Sequence, residues 1–261
     1  MSKDKKIIEQ VVEQSESVLE KGYDDLVHPS AKSLGNTLSF LPRTIGVWLG
    51  KWEKWIINGE ESIKLTMEAM SEKVSKIPEE KLTEPEPYVA VPAIQQLSYC
   101  YNSEELREMY ANLLVSSMNI DTKWNVHPSF VDIIRQLTPD EAKLLKYLSS
   151  HPEQPMIDVR HHLANDGGYI EVIRGFTNIS EGICDNVNGI YAYLDNFERL
   201  KFIEIPEGVY LSDDMLYTPL ENHPLIKQVM NRALPEGERM EIRKKKFYVS
   251  TFGKEFMKTC L

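Results

Sequence analysis

The side chains from which this sequence could build chemistry are six histidines, three cysteines, a run of four cations and a segment carrying three tryptophans. His28, His127, His151 and His223 each stand directly before a proline. That pairing marks turns and helix starts, because the residue before proline is driven out of the α region. The adjacent His161 and His162 lie close to Asp158 and Arg160. On a strand, neighbouring side chains point to opposite faces, so these two imidazoles cannot chelate one metal ion together. Cys100, Cys184 and Cys260 are too few and too scattered for a disulfide framework or a zinc knuckle, and none has a visible activating partner. The chain contains no G-x-S-x-G elbow, H-E-x-x-H helix, P-loop or G-x-G-x-x-G turn. We therefore expect no catalytic residue, no cofactor, no metal and no evident small-molecule substrate. An enzyme without a standard motif is the alternative.

Two motifs suggest contacts instead. Arg243, Lys244, Lys245 and Lys246 precede or open a strand-like segment, where the wing of a winged helix would touch phosphates. The helix that would read the groove carries Asp185, Asp195 and Glu198 against only Arg199 and Lys201. Carboxylates repel phosphates, so charge disfavours nucleic acid, and the plain alternative is a run of solvated cations. Trp48, Trp52 and Trp55 share one helical face, with Lys51 and Lys54 beside them. Such a helix could lie in a membrane interface or meet a partner. Gly46 and Gly50 would allow close helix packing. Against the membrane stand Glu53, Glu60 and Glu61 and the ordinary use of large aromatics as bundle core.

The elements that must position these residues follow from periodicity. Ile8, Val11, Val12, Val18 and Leu19 predict an amphipathic helix over 5–20, and Ile45, Trp48, Leu49, Trp52, Trp55 and Ile56 predict another after Pro42. Ile63, Met67, Met70, Val74 and Ile77 repeat at 4-3-4-3, a seam two heptads long. An acidic, proline-bearing linker runs from Pro78 to Pro87. Helices are expected at about 88–101, 103–119, 128–137 and 139–150, the last opened by a capping box, Thr138 with Glu141, and by Pro139 at the first helical position. MIDVRHHL and YIEVIRGF flank Asn165-Asp166-Gly167-Gly168 as a hairpin, although Tyr169, Val172, Ile173 and Phe176 also fit a helical period. A helix from 186 to 200, the strand FIEI, a loop of roughly 206–240 holding the helix NHPLIKQVMNRAL, the strand KKKFYVS and a short helix TFGKEFMKTCL complete the chain.

The expected fold is mainly α with a small β component (α+β): a helical N-terminal half and a C-terminal winged-helix-like module. The domains are 1–81, amphipathic helices including the tryptophan helix; 82–137, a central helical region; and 138–261, the winged-helix-like module with an inserted hairpin and an extended wing. The composition is that of an ordinary globular protein, 42% hydrophobic and 27% charged with net charge −10. Acidic side chains outnumber basic ones in every segment: 14 to 12 in residues 1–81, 9 to 5 in 82–150 and 17 to 13 in 151–261. No segment offers a general grip on nucleic acid. No run reaches 18 apolar residues and the start lacks a signal-peptide core, so a cytoplasmic protein, peripheral at the membrane at most, is expected.

From Ile77 to Leu148 the chain reads IPEEKLTEPEPYVAVPAIQQLSY, EELREMYANLLVSSMN and HPSFVDIIRQLTPDEAKLLKYL, followed later by DGGYIEVIRGF, YLDNFERLKFIEI and STFGKEFMKTCL. In these phrases and their order it resembles the abortive-infection alpha (Abi-alpha) family of bacterial phage-resistance proteins; residues 1–40 add nothing to the likeness. The resemblance implies a role in abortive infection, in which an infected cell halts or dies before phage can spread, and it supplies no catalytic residue. The leading expectation is a non-enzymatic phage-defence protein working through contacts with an unknown protein partner or with its own copies. A membrane-perturbing effector built on 43–57 and a winged-helix nucleic-acid regulator are the alternatives.

Overall fold

The computed structural model describes residues 60–97, 99–100, 102–164 and 167–261. The helices expected over 5–20 and around Trp48, Trp52 and Trp55, and the turn residues Asn165 and Asp166, lie outside the described residues. What is described is about 50% helix and 17% strand, with one antiparallel four-stranded sheet in the order β2-β1-β4-β3. The α+β expectation holds.

The first helices form where apolar spacing and caps coincide. Helix α1 spans Glu60–Val74 and buries Met70 and Val74 of the predicted seam. Helix α2, Pro87–Leu97, starts on a proline and buries Val89, Ala90, Ala93, Ile94 and Leu97. Helix α3, Glu104–Ser117, is capped by Ser103, whose side chain accepts from the Leu106 N–H. Helix α4 is short, Ser129–Ile134, and helix α5 runs Pro139–Ser150 from the predicted capping box. In that box the Thr138 hydroxyl accepts from the Glu141 N–H at 3.2 Å, and the Glu141 carboxylate accepts from the Thr138 N–H at 2.6 Å.

Strands β1, Glu153–His162, and β2, Tyr169–Phe176, form the predicted hairpin, which decides the 169–176 segment against a helix. The pairing shifts register on both sides of Val159, and Gly175 takes φ +65° beside Met156, the left-handed conformation that bulged strands favour. Helix α6, Ile190–Arg199, leads into strand β3, which is only Ile203–Glu204. Strand β4 spans Arg239–Val249. It meets β3 at two positions but β1 at ten, from Glu153↔Tyr248 to His162↔Arg239. The wing expected between FIEI and KKKFYVS is therefore a small part of a larger sheet, because the long edge of β1 offers β4 far more backbone partners than β3 does.

The connection between β3 and β4 folds back onto the sheet. It carries a 3₁₀ turn at Asp214–Tyr217 and helices α7, Thr218–Glu221, and α8, Pro224–Met230. Pro224 starts α8 afresh, so the single helix expected over 222–234 is confined to these seven residues. Tyr217, Leu220, Ile226 and Val229 pack with Ile157, Val159 and Phe176 as a second core under one face of the sheet. The main core draws on every helix from α1 to α6 and on the last, α9, Thr251–Cys260. At its centre the rings of Phe130 and Phe256 meet edge-on at 5.2 Å. Gly253 lets α9 approach β3's entry so closely that a Cβ would collide with the Phe202 carbonyl.

Candidate functional site

Because β1 and β4 pair without a shift, the two-residue alternation of a strand sorts their side chains cleanly. Ile157 and Val159 face the second core with Met240 and Ile242. Met156, Asp158, Arg160 and His162 face the other way, opposite Lys245, Arg243, Glu241 and Arg239. Near α5 this second face is apolar, Met156 and Phe247 joining the main core. Beyond Met156 it turns ionic.

The ionic face is built around two buried groups. Asp158 is 1% exposed and Lys245 4%, an arrangement that is costly unless each charge has a partner. The Lys245 ammonium lies 3.5 Å from Asp158 Oδ2 and donates to Glu207 Oε1 at 3.1 Å. Asp158 Oδ1 accepts from the Gly175 N–H at 2.8 Å, so the bulge glycine also supplies a donor. Glu207 comes from the turn after β3, and its second oxygen lies 3.4 Å from the Arg243 guanidinium. The hydrogen bond and charge of Lys245, helped by Arg243 and Arg160, hold the Glu207 carboxyl below the usual carboxylate range. Arg160 donates to Glu171 at 3.1 Å and lies 4.0 Å from the Tyr169 ring, while its Nε is buried without a hydrogen-bond partner.

All four cations expected to meet nucleic acid lie within β4. Arg243 and Lys245 face Glu207 as described. On the opposite face Lys244 meets Asp214 at 2.7 Å and Glu221 at 3.5 Å, and Lys246 meets Glu153 at 3.0 Å. The Asp214 hydrogen bond raises the Lys244 pKa above its ordinary value. Trp48, Trp52 and Trp55 lie outside the described residues. Sequence reasoning noticed Asp158 and Arg160 only as neighbours of the histidine pair. The available signal was an acidic residue inside the apolar strand MIDV, which demands a buried partner.

The histidines among the described residues make contacts within the chain. His161 meets Glu238 and His162 meets Glu241, each at 2.5 Å and on opposite faces of β1. His223 caps α8 by accepting from the Leu225 N–H, and His127 accepts from the Ser129 N–H at the start of α4. Among the described residues no three His, Cys, Asp or Glu side chains gather to hold a metal ion. All three thiols are buried. Burial pushes the Cys184 thiol up to about 11 and raises Cys100 and Cys260 as well, the reverse of nucleophile activation. Among the described residues no helix is long and apolar enough to cross a membrane.

A second polar cluster joins α5 to α6. Asp140, 7% exposed, accepts from the N–H groups of Asp185 and Asn186, both at 2.9 Å, and from the Tyr193 hydroxyl at 3.1 Å. Burial works against its charge, but these donors and the Lys143 ammonium outweigh it and hold its pKa below the ordinary value.

The family model described as abortive infection alpha matches residues 58–260. No curated protein matches the chain. Among solved structures, the chain is similar to an uncharacterized protein from the hydrocarbon-degrading marine bacterium Alcanivorax borkumensis SK2. The identity is 16%, the match covers 50% of this chain and 90% of that one, and the TM-score is 0.34.

Proposed function

The chain belongs to the abortive infection alpha family, and from that premise we propose that it serves bacterial phage defence as a non-enzymatic cytoplasmic protein acting through protein–protein contacts. The observation that carries the reading is the extent of the match, residues 58–260. That range takes in every element from α1 to α9, so the shared property is the whole fold. The engagement of the β4 cations with carboxylates of the same chain, and the buried thiols, support contact over catalysis. Trp124, 83% exposed with the Lys123 ammonium over its ring, is the kind of aromatic that anchors protein interfaces. The amphipathic segments before α1, with Trp48, Trp52 and Trp55, are the other contact candidates, toward a partner or a second copy.

In this reading residues 138–261 form a winged-helix-like module used as scaffold. The order α5, β1, α6, β3, long connection, β4 supports it, as does the position of β4 between β1 and β3, with β2 as an addition. A plaque assay paired with host viability tests the proposal. The intact protein is expected to lower plaque numbers while infected hosts stop growing or die. The Trp48→Ala/Trp52→Ala/Trp55→Ala and Trp124→Ala variants are expected to lose protection without losing expression. Absence of protection by the intact protein overturns the defence role, and full protection by both variants overturns the contact surfaces named.

A further inference from the structure

Strand β4 is fully paired on one side and largely bare on the other. Its β1 side is filled from Glu153↔Tyr248 to His162↔Arg239 without a shift. On the far side, among the described residues, β3 covers only Tyr248 and Val249, and the Lys246 N–H donates to the Val209 carbonyl at 3.2 Å. Two bonds fix which backbone groups point outward. The Val249 N–H donates toward β1, to the Pro152 carbonyl, whereas Lys246 donates away from it. Direction alternates along an antiparallel strand, so Met240, Ile242 and Lys244 turn both N–H and C=O away from β1. Pro155, which has no N–H, stands opposite Lys246, where this alternation asks for none. No strand among the described residues receives the three outward residues. An open edge of this kind is a template for another strand.

We propose that this edge is the contact surface for a second copy of the chain, the two β4 strands pairing antiparallel about a two-fold axis at Ile242. In that register Ile242 meets its own counterpart, and Met240 meets the partner's Lys244. Their outward groups exchange backbone hydrogen bonds, and the two sheets become one. On the ionic face Glu241 meets the partner's Arg243, and the two-fold repeats that pair of opposite charges. Both side chains can serve it. Glu241 is 48% exposed and uses Oε2 on His162 and Arg239, which leaves Oε1. Arg243 is 33% exposed and makes one ion contact among the described residues, to Glu207. Arg239 meets the partner's Lys245, whose ammonium is held by Asp158 and Glu207. Charge selects this register. Moving the axis one residue sets Glu241 against Glu241 or Arg243 against Arg243, which repel. Moving it two, to Met240 or Lys244, carries the pairing past the strand's start at Arg239 or into the Lys246 N–H that Val209 already holds. The surface deepens the contact reading above, which admits a second copy, and it is independent of the defence role.

Sedimentation velocity of the full chain over a concentration series tests the edge. Salt at about 0.15 M screens the net charge of −10 that each copy carries. The unmodified chain is expected to pass from monomer to dimer. Glu241→Arg sets arginine against the partner's Arg243 at both symmetric positions and is expected to raise the dissociation constant at least about tenfold. Glu241→Arg/Arg243→Glu exchanges the signs, restores both pairs and is expected to recover the dimer. A monomer at every concentration up to about 100 µM overturns the proposal. So does a dimer that Glu241→Arg leaves intact, or a folded double variant that stays monomeric. Should the charge variants fail to fold, amide exchange of the unmodified chain decides. The Met240, Ile242 and Lys244 amides must exchange more slowly when the dimer dominates than when the monomer does, with Glu241 and Arg243, already turned toward β1, as internal reference. Equal exchange of the outward amides at both concentrations overturns the edge. The defence role is read separately in the plaque assay, so either reading can fail without the other.

Discussion

Replacing Lys245 by Met separates charge from packing at the centre of the sheet. Met keeps most of the apolar stem that lets Lys245 lie 4% exposed, and it removes the ammonium 3.5 Å from Asp158 and 3.1 Å from Glu207. The two carboxylates then fare differently. Glu207, its side chain 67% exposed, returns to water, so its share of the loss is at most about 1 kcal/mol. Asp158, 1% exposed, cannot, and keeps only the Gly175 N–H at 2.8 Å. Removing one partner of a buried pair costs about 3–5 kcal/mol, because a charge is left desolvated and uncompensated. That is a large share of the roughly 5–15 kcal/mol by which domains are stable. Urea unfolding at neutral pH, followed by circular dichroism and extrapolated linearly, measures it. Asp158→Asn/Lys245→Met, which leaves no buried charge, is expected to be more stable than the sum of the two single losses predicts, by about 1–3 kcal/mol. A Lys245→Met loss below about 1 kcal/mol, or an additive cycle, would refute the claim that these groups face each other out of water.

Tyr217→Phe is expected to lower stability by about 1–3 kcal/mol in the same urea assay. The buried hydroxyl donates to the Lys245 carbonyl at 2.9 Å and accepts from the Leu211 N–H at 2.8 Å, and both partners would lose it. Asp140→Asn is expected to cost about 1.5–3 kcal/mol at neutral pH, the range for hydrogen bonds to a charged group. The wild-type carboxyl has a folded pKa below its ordinary value, so its stabilisation is complete above the unfolded Asp value, about 3.9. It is lost as pH falls through the folded pKa. The stability gap between wild type and Asp140→Asn should therefore be flat above about pH 5 and narrow on further acidification, and a gap that widens there would contradict the hydrogen-bond assignment.

What was legible in the sequence is what local physics decides. The capping box needs only Thr138 and Glu141, three residues apart, and it forms as read. The seam residues Met70 and Val74 are one helical turn apart, and both are buried. The hairpin from MIDVRHHL to YIEVIRGF needed only two adjacent alternating segments and a turn between them. The choice of β4 as partner for β1 was not legible, because it joins Glu153 to Tyr248 across the whole connection and α6. FIEI, nearer in sequence order to its expected role, keeps only two paired residues. The fate of Arg243 to Lys246 was hidden for the same reason. A run of cations reads as a solvated surface until the carboxylates that meet it, drawn from Glu153, Asp158, Glu207, Asp214 and Glu221, are brought up by long-range pairing.

That convergence explains why the densest cation run of an acidic chain lies in the middle of a strand. Alternation sends Arg243 and Lys245 to one face and Lys244 and Lys246 to the other, so a single strand presents positive charge to both sides of the sheet. The connection from 205 to 238 wraps from one side to the other, and its acidic residues meet these cations at both: Glu207 on the ionic face, Asp214 and Glu221 over the second core. Such partly exposed pairs add little stability singly. The apolar contacts of Tyr217, Leu220, Ile226 and Val229 hold the connection down, and the ion pairs fix where along β4 it lies. The two ends are not equivalent. The partners of Lys244, Asp214 and Glu221, stand on a segment anchored by the buried Tyr217, whereas Glu207 stands on an exposed turn with no buried side chain of its own. The second core therefore sets the register of the connection on β4, and Glu207 closes its exposed end over Arg243 and Lys245.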